Sequence, residues 1–159
     1  MDVVRSPWRS AYVTRSLEDG GCVFCRAIES ASGADSLVVH ATDLSFIVMN
    51  LYPYNAGHVM VAPRRHLGTL GEASRAELTD ILGLAQRLEA VLGEAYSPAG
   101  LNVGMNLGRT AGAGVLGHIH LHVVPRWNGD TNFTTVVAET RVIPEDPIAA
   151  CHKLRAYFA

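Results

Sequence analysis

Short apolar runs at 38–40, 44–49 and 58–62 give way to a helical period from residue 74, and apolar positions alternate with polar ones beyond residue 100. Val38 to His40 and Leu44 to Met49 read as two short strands joined by a polar turn at Ala41 to Asp43, which predicts a hairpin. The loop Leu51-Tyr-Pro-Tyr-Asn-Ala-Gly57, rich in turn formers, leads into a third strand from His58 to Ala62 that ends at Pro63. Ser74 to Tyr96 is the clearest helix: Ser74 and Glu77 form a capping box, and Leu78, Ile81, Leu82, Ala85, Leu88 and Leu92 share one face. That face is expected to cover a sheet, and Pro98 and Gly100 stop the helix. Leu101 to Leu107 reads as a strand, followed by the run Gly108-Arg-Thr-Ala-Gly-Ala-Gly114 and a further strand from His118 to Val124, closed by Pro125-Arg126. Asp146-Pro147 reads as an N-cap with proline in the first turn, opening a short helix with an apolar stripe of Ile148, Cys151, Leu154 and Phe158. The expected class is α+β.

With 159 residues and 48% apolar content, the chain can fill one core, so a single domain over 1–159 is expected, with 1–21 as an N-terminal arm without clear period. A formal charge of -2 gives no broad positive field, which argues against a long nucleic acid as partner; an anionic ligand has to be met by a local cluster. The N-terminal stretch has no apolar run of signal-peptide length, and no apolar stretch of about 18 residues offers a membrane span. The three cysteines are an odd set with Cys22 and Cys25 too close for an ordinary disulfide framework. A reducing, cytoplasmic setting is the expectation.

The strand carrying His118, His120 and His122 concentrates the chemistry. Alternate side chains of a strand share a face, so the imidazoles point one way, about 7 Å apart, and Ile119, Leu121 and Val123 the other. Crowded imidazoles repel one another when protonated, so they are expected to be neutral or engaged with an anion or a metal. Two chemistries remain open: a neutral imidazole attacking phosphorus while its neighbours hold phosphate oxygens, or a metal site in which the histidines together activate water. Gly108, Gly112 and Gly114 can present backbone N–H groups to an anion, and Arg109 and Arg126 supply charge at the two ends, which favours phosphate. Cys22-Val-Phe-Cys25 has the spacing that offers two thiolates to one metal, half of a zinc site.

Gly117-His-Ile-His-Leu-His-Val-Val-Pro-Arg126 resembles the signature of the histidine triad (HIT) superfamily. The resemblance continues upstream through Asn50-x-x-Pro-x-x-x-Gly-His58-x-x-Val-x-Pro63, Asn102 to Asn106 and Ala111-Gly112, so that 22–126 reads as the family core and 127–159 as a C-terminal extension. The flanks Ser6-Pro-Trp-Arg-Ser-Ala-Tyr12 and Pro125 to Phe133 resemble a narrower group that includes bacterial diadenosine tetraphosphate phosphorylases, alongside the fragile-histidine-triad-like hydrolases. The resemblance implies an antiparallel sheet of about five strands with a long helix and a C-terminal helix, in a homodimer. It implies that His120 is the nucleophile that takes the innermost phosphorus, forming a nucleotidyl-histidine. His122 then contacts the phosphate, His118 completes the catalytic set, Asn106 holds phosphate oxygens or the leaving group, Asn50 binds the ribose, and His58 is a packing and polar support. Leu44, Phe46 and Leu51 are implied for the base, and Gly112, Ala113, Gly114 and Trp127 complete the nucleotide- and phosphate-binding set. The reaction implied is cleavage of dinucleoside polyphosphates, finished by inorganic phosphate or by water; Ala113-Gly114 departs from the glycine-plus-hydroxyl pair of the narrower group and leaves that choice open. Hydrolysis of nucleoside phosphoramidates or adenylates uses the same intermediate and is the alternative. For the cysteines, the resemblance implies a structural zinc held by Cys22, Cys25, His66 and His118, with no organic cofactor.

Overall fold

A computed structural model describes residues 21–33, 35–130 and 145–159. Nearly all of the expected N-terminal arm and the 131–144 part of the extension lie outside them.

Five strands, β1 (Val38–Ala41), β2 (Ser45–Met49), β3 (Val59–Pro63), β4 (Gly100–Gly104) and β5 (Leu121–Arg126), form one antiparallel sheet in the order β1-β2-β3-β5-β4. Three α-helices accompany it: α1 (Val23–Glu29), α2 (Arg75–Tyr96) and α3 (Pro147–Arg155). The α+β architecture is the one expected, and none of the described helices is long and apolar enough to cross a membrane.

The two faces of the sheet are covered unequally. On one face Ile47, Val61, Leu121 and Val123 pack against Ile81, Leu88 and Leu92 of α2 and Cys151 and Leu154 of α3. On the other, Phe24 of α1 covers Phe46, Val48, Met60 and Ala62, a cluster confined to the β1-β2-β3 half. The β5-β4 half of that second face carries a cavity of about 500 Å³.

Helix α2 begins as expected, with the Ser74 hydroxyl accepting from the Glu77 N–H and the Glu77 carboxylate accepting from the Ser74 N–H. Its buried face differs from the expected one. Leu82 is 62% exposed, and Glu77, Leu84 and Val91 join Ile81, Leu88 and Leu92 inside. A carboxylate sits on the inner stripe because Arg65 neutralises it with two hydrogen bonds, both at 2.9 Å. At the other end of the chain, the Asp146 side chain caps α3 by accepting from the N–H groups of Ile148 and Ala149, with Pro147 in the first turn.

The histidine strand is shifted from its expected span of His118 to Val124. Its ladder runs from Leu121 through Pro125 to Arg126. Strand β3 pairs with it only at Leu121, His122 and Val123, so around Pro125 the strand has a neighbour on the β4 side alone and a residue without an N–H costs no ladder bond there. His118 to His120 run past the ladder, tied by the Ile119 N–H to the Leu67 carbonyl at 2.8 Å. Helix α1, which the sequence pattern did not announce, has only seven residues and is held by tertiary contact through Phe24.

Candidate active site

The three triad histidines, alike in sequence, have three different surroundings. His118 is fully buried, and its Nε2–H donates to the Pro63 carbonyl at 2.8 Å. That bond leaves the Nδ1 lone pair facing the cysteines, 3.3 Å from Cys22 Sγ and 3.7 Å from Cys25 Sγ. His66 Nδ1 lies 3.5 Å from Cys25 Sγ. One ligand atom from each of Cys22, Cys25, His66 and His118 lies within 4.8 Å of the others. Two sulfurs and two imidazole nitrogens this close fit a tetrahedral ion of zinc type. Burial raises both thiols, but at Cys22 a hydrogen bond donated to the sulfur by His118 Nδ1 in the doubly protonated ring, together with the N–H groups of Cys25 and Phe24 at the start of α1, outweighs it and brings the pKa to about 6. At Cys25 burial and the neighbouring Cys22 keep the pKa raised.

His120, 5% exposed, donates its Nδ1–H to the His118 carbonyl at 2.9 Å, so the lone pair is on Nε2. Burial pushes its pKa down, against a smaller upward pull from the hydrogen bond to the His118 carbonyl. The ring is therefore neutral near pH 7, the form a nucleophilic imidazole needs. It lies against Phe24 at 4.8 Å and edge-on to His122 at 4.8 Å.

His122 borders the cavity. Behind it stands His58, fully buried, whose Nδ1 accepts the Tyr54 backbone N–H at 3.0 Å. That amide forces the His58 proton onto Nε2, which donates to His122 Nδ1 at 3.0 Å. In its neutral form His122 then carries its own proton on Nε2, as a donor. His58 is thus more than a packing support: it sets the orientation and tautomer of a triad member.

The three histidines do not converge on one ion. His118 turns to the cysteines, while His120 and His122 each have Nδ1 engaged elsewhere, and the Cys22, Cys25, His66, His118 group is the one candidate metal cluster among the described residues. The geometry gives no support to a metal site shared by the three histidines. His118, expected in the catalytic set, has both ring nitrogens facing protein groups, and its carbonyl serves His120.

Other expected residues scatter. Asn106 lines the cavity beside His122. Asn50 sits by His58, with Nδ2 3.3 Å from His58 Nδ1 and Oδ1 accepting the Tyr52 N–H, and it does not line the cavity. Phe46 is 0% exposed beneath α1, so it supports the wall of the sheet and presents no surface to a base. Leu44 is exposed at the opposite end of β2 from Asn50, and Leu51 is exposed next to Asn50. In the glycine run, Gly112 and Ala113 spend their N–H groups inside the loop, on the Arg109 and Gly108 carbonyls, so these two do not face an anion. Gly114 is half-buried in the same connection, and Trp127 lies in the turn after β5, away from the cavity lining.

Arg126 does not offer an uncompensated charge either. It binds Asp130 through Nε and Nη2, at 2.5 and 2.8 Å, and donates from Nη1 to Asn102 Oδ1 at 2.6 Å. Its guanidinium holds the Asp130 carboxyl far below the usual carboxylate range. Asp130 also accepts from Asn55 Nδ2 at 2.8 Å. Tyr54, Asn55, Asn102, Gly104 and Asp130 escaped the sequence reading as site residues. Their signal is the pairing of Gly104 with His122 and Asn102 with Val124, which is a tertiary fact.

The profile of the HIT domain matches residues 31–129. The chain belongs to the HIT family. Over 118 residues, 74% of its length, it is 42% identical to an AP-4-A phosphorylase of Mycobacterium tuberculosis. Over 91 residues, 57% of its length, it is 35% identical to a bis(5'-adenosyl)-triphosphatase of Dictyostelium discoideum. It spans 60% of the length of each of these relatives. Among solved structures, a Zn-bound histidine triad family protein of Mycobacterium smegmatis superposes with a TM-score of 0.70 at 29% identity, covering 86% of this chain and 92% of that one.

Proposed function

We propose that this HIT protein is a nucleotidyltransferase that cleaves dinucleoside polyphosphates, diadenosine tetraphosphate among them, through a covalent intermediate on His120. The observation that carries this reading is the His120 tautomer: with Nδ1–H given to the His118 carbonyl, a neutral ring keeps the Nε2 lone pair for attack, next to a histidine that borders an open cavity. In the first step His120 Nε2 bonds to the innermost phosphorus and the bond from that phosphorus to the bridging oxygen breaks. The leaving nucleoside triphosphate departs with the electron pair, its charge met by the proton on His122 Nε2. In the second step an oxygen of inorganic phosphate attacks, the phosphorus–nitrogen bond breaks and its electron pair returns to His120. The products are then a nucleoside triphosphate and a nucleoside diphosphate. Water in place of phosphate gives a monophosphate instead. The 42% identity to a protein named a phosphorylase supports phosphate.

The same reading includes a zinc ion on Cys22, Cys25, His66 and His118, supported by their mutual distances and by the zinc-bound relative. When bound, such an ion supplies a structural link and no reacting group. Among the described residues β4 is an edge of the sheet, which supports pairing with a second copy. A cytoplasmic location is consistent with free Cys22 and Cys25.

The test is incubation with diadenosine tetraphosphate labelled in its adenylyl groups, with and without inorganic phosphate, followed by product identification and acid quenching. Adenosine diphosphate and triphosphate are expected with phosphate present, label is expected on the quenched protein, and His120→Ala is expected to bind nucleotide without turnover. Normal turnover by His120→Ala overturns the reading.

A further inference from the structure

The cavity beside His122 runs along the β5-β4 half of the sheet. It is bordered by His122, Val124 and Arg126 on β5, by Asn102 and Gly104 on β4, and by Tyr54 and Asn55 from the loop that also orients His58. The antiparallel register pairs Gly104 with His122, Asn102 with Val124 and Gly100 with Arg126, which sets these positions on one face. From His122 to Arg126 the floor extends about 13 Å.

Directly across from the triad histidine, the position that would normally carry a cross-strand side chain is a glycine. Gly104 is not among the glycines with positive φ, so its backbone does not call for glycine. A Cβ placed on it meets no described atom within 4 Å. A glycine inside a strand gives up packing and stiffness, and here it gains room beside His122. At the far end, Arg126, Asp130, Asn55 and Asn102 are bonded into a charge-compensated wall, and Tyr54 contributes a ring stacked on His122 with centroids 5.9 Å apart. Amides and a neutralised ion pair suit the hydroxyls and base edge of a nucleoside better than a phosphate. A volume of about 500 Å³ is on the scale of small-molecule sites.

We propose that this cavity is the subsite for the departing half of the substrate, a nucleoside polyphosphate whose nucleoside lies toward the Asn102–Arg126 wall, and that Gly104 is the residue that keeps it open. The proposal rests on the nucleotidyl-transfer reading above. In an in-line displacement the entering nitrogen and the leaving oxygen lie on opposite sides of phosphorus, so a bulky leaving group needs room separate from that of the transferred nucleotide. Asn50 and Leu44, expected at the ribose and base of the transferred nucleotide, do not border this cavity, whereas His122 and Asn106, expected at the phosphates, do, so the cavity begins where the two halves of the substrate meet.

Gly104→Val places a β-branched side chain, well suited to a strand, in the space beside His122. Two substrates sharing one adenylyl group separate the alternatives: diadenosine tetraphosphate, with a large leaving group, and adenosine 5'-phosphoramidate, with a small one. The ratio of kcat/KM for the long substrate to that for the short one is expected to fall at least about tenfold, mainly through KM. Asn102→Ala, at the far wall, is expected to lower the same ratio without filling the space at His122. An unchanged ratio in both variants, with melting temperatures near that of the parent, overturns the subsite. Equal losses on both substrates overturn it as well, because the cavity would then hold the adenylyl group. Failure of the parent protein to turn over either substrate defeats the nucleotidyl-transfer reading and the subsite with it.

Discussion

His118, His120 and His122 are equivalent by sequence spacing, and their separate tasks come from one hydrogen bond each. The Pro63 carbonyl turns His118 to the cysteines, the His118 carbonyl fixes the proton of His120, and His58 fixes that of His122. The last of these starts at a backbone amide, that of Tyr54, which no side-chain pattern can advertise. His58 is accordingly a positioning residue. In His58→Asn the donor to His122 Nδ1 is withdrawn, and kcat is expected to fall about tenfold, the equivalent of ~1.4 kcal/mol, with little change in KM. The ¹⁵N shifts of the His122 ring are expected to report a changed tautomer mixture. An unaltered His122 spectrum, or a loss confined to KM, contradicts the role.

Among the elements, helix α2 was legible from its capping box and its period, but the stripe it buries was not. Leucines occur around most of the helix, and the inner face includes Glu77, a residue that periodicity alone assigns to solvent. Only the approach of Arg65 from beyond β3 makes that burial tolerable. The hydrogen bonds from Arg65 and from the Ser74 N–H, acting against burial, hold the Glu77 carboxyl at about 2, below its ordinary 4.5. A carboxyl whose pKa is lower in the folded chain than in the unfolded one stabilises the fold at higher pH and loses that contribution as pH falls. Glu77→Gln is therefore expected to lower the melting temperature at pH 7, and the gap from the parent is expected to close as pH drops from about 4.5 toward 2. Thermal melts across that range check it; a gap constant with pH refutes the ionic origin.

At the scale of the whole molecule, the Cys22, Cys25, His66 and His118 cluster joins the start of α1, the segment after β3 and the approach to β5. Cys22 and His118 are 96 positions apart. Because His118 also carries the carbonyl that orients His120, the cluster braces the His120 ring from behind. Treatment with a strong chelator is expected to release one metal ion per chain and to lower the melting temperature by at least about 5 °C, equivalent to ~2 kcal/mol for a domain of this size. Cys22→Ser is expected to reproduce the shift. Metal analysis alongside calorimetry decides the matter, and a preparation that holds no metal yet melts unchanged after chelation counts against the site.

The five strands, the two longer helices, the caps of α2 and α3, the histidine spacing and the Cys22-x-x-Cys25 pair follow from local pattern and residue type, which a linear chain carries in full, while His66 and His118 as metal ligands come from the resemblance to the HIT family. The tertiary structure decided the rest: which ring faces the cysteines, which keeps a free lone pair on Nε2, how Arg126 is neutralised, and that Gly104 stands across from His122. Those facts depend on strand register and on backbone groups brought together from distant positions. Every residue has the same amide and carbonyl, so only their placement in space distinguishes one from another.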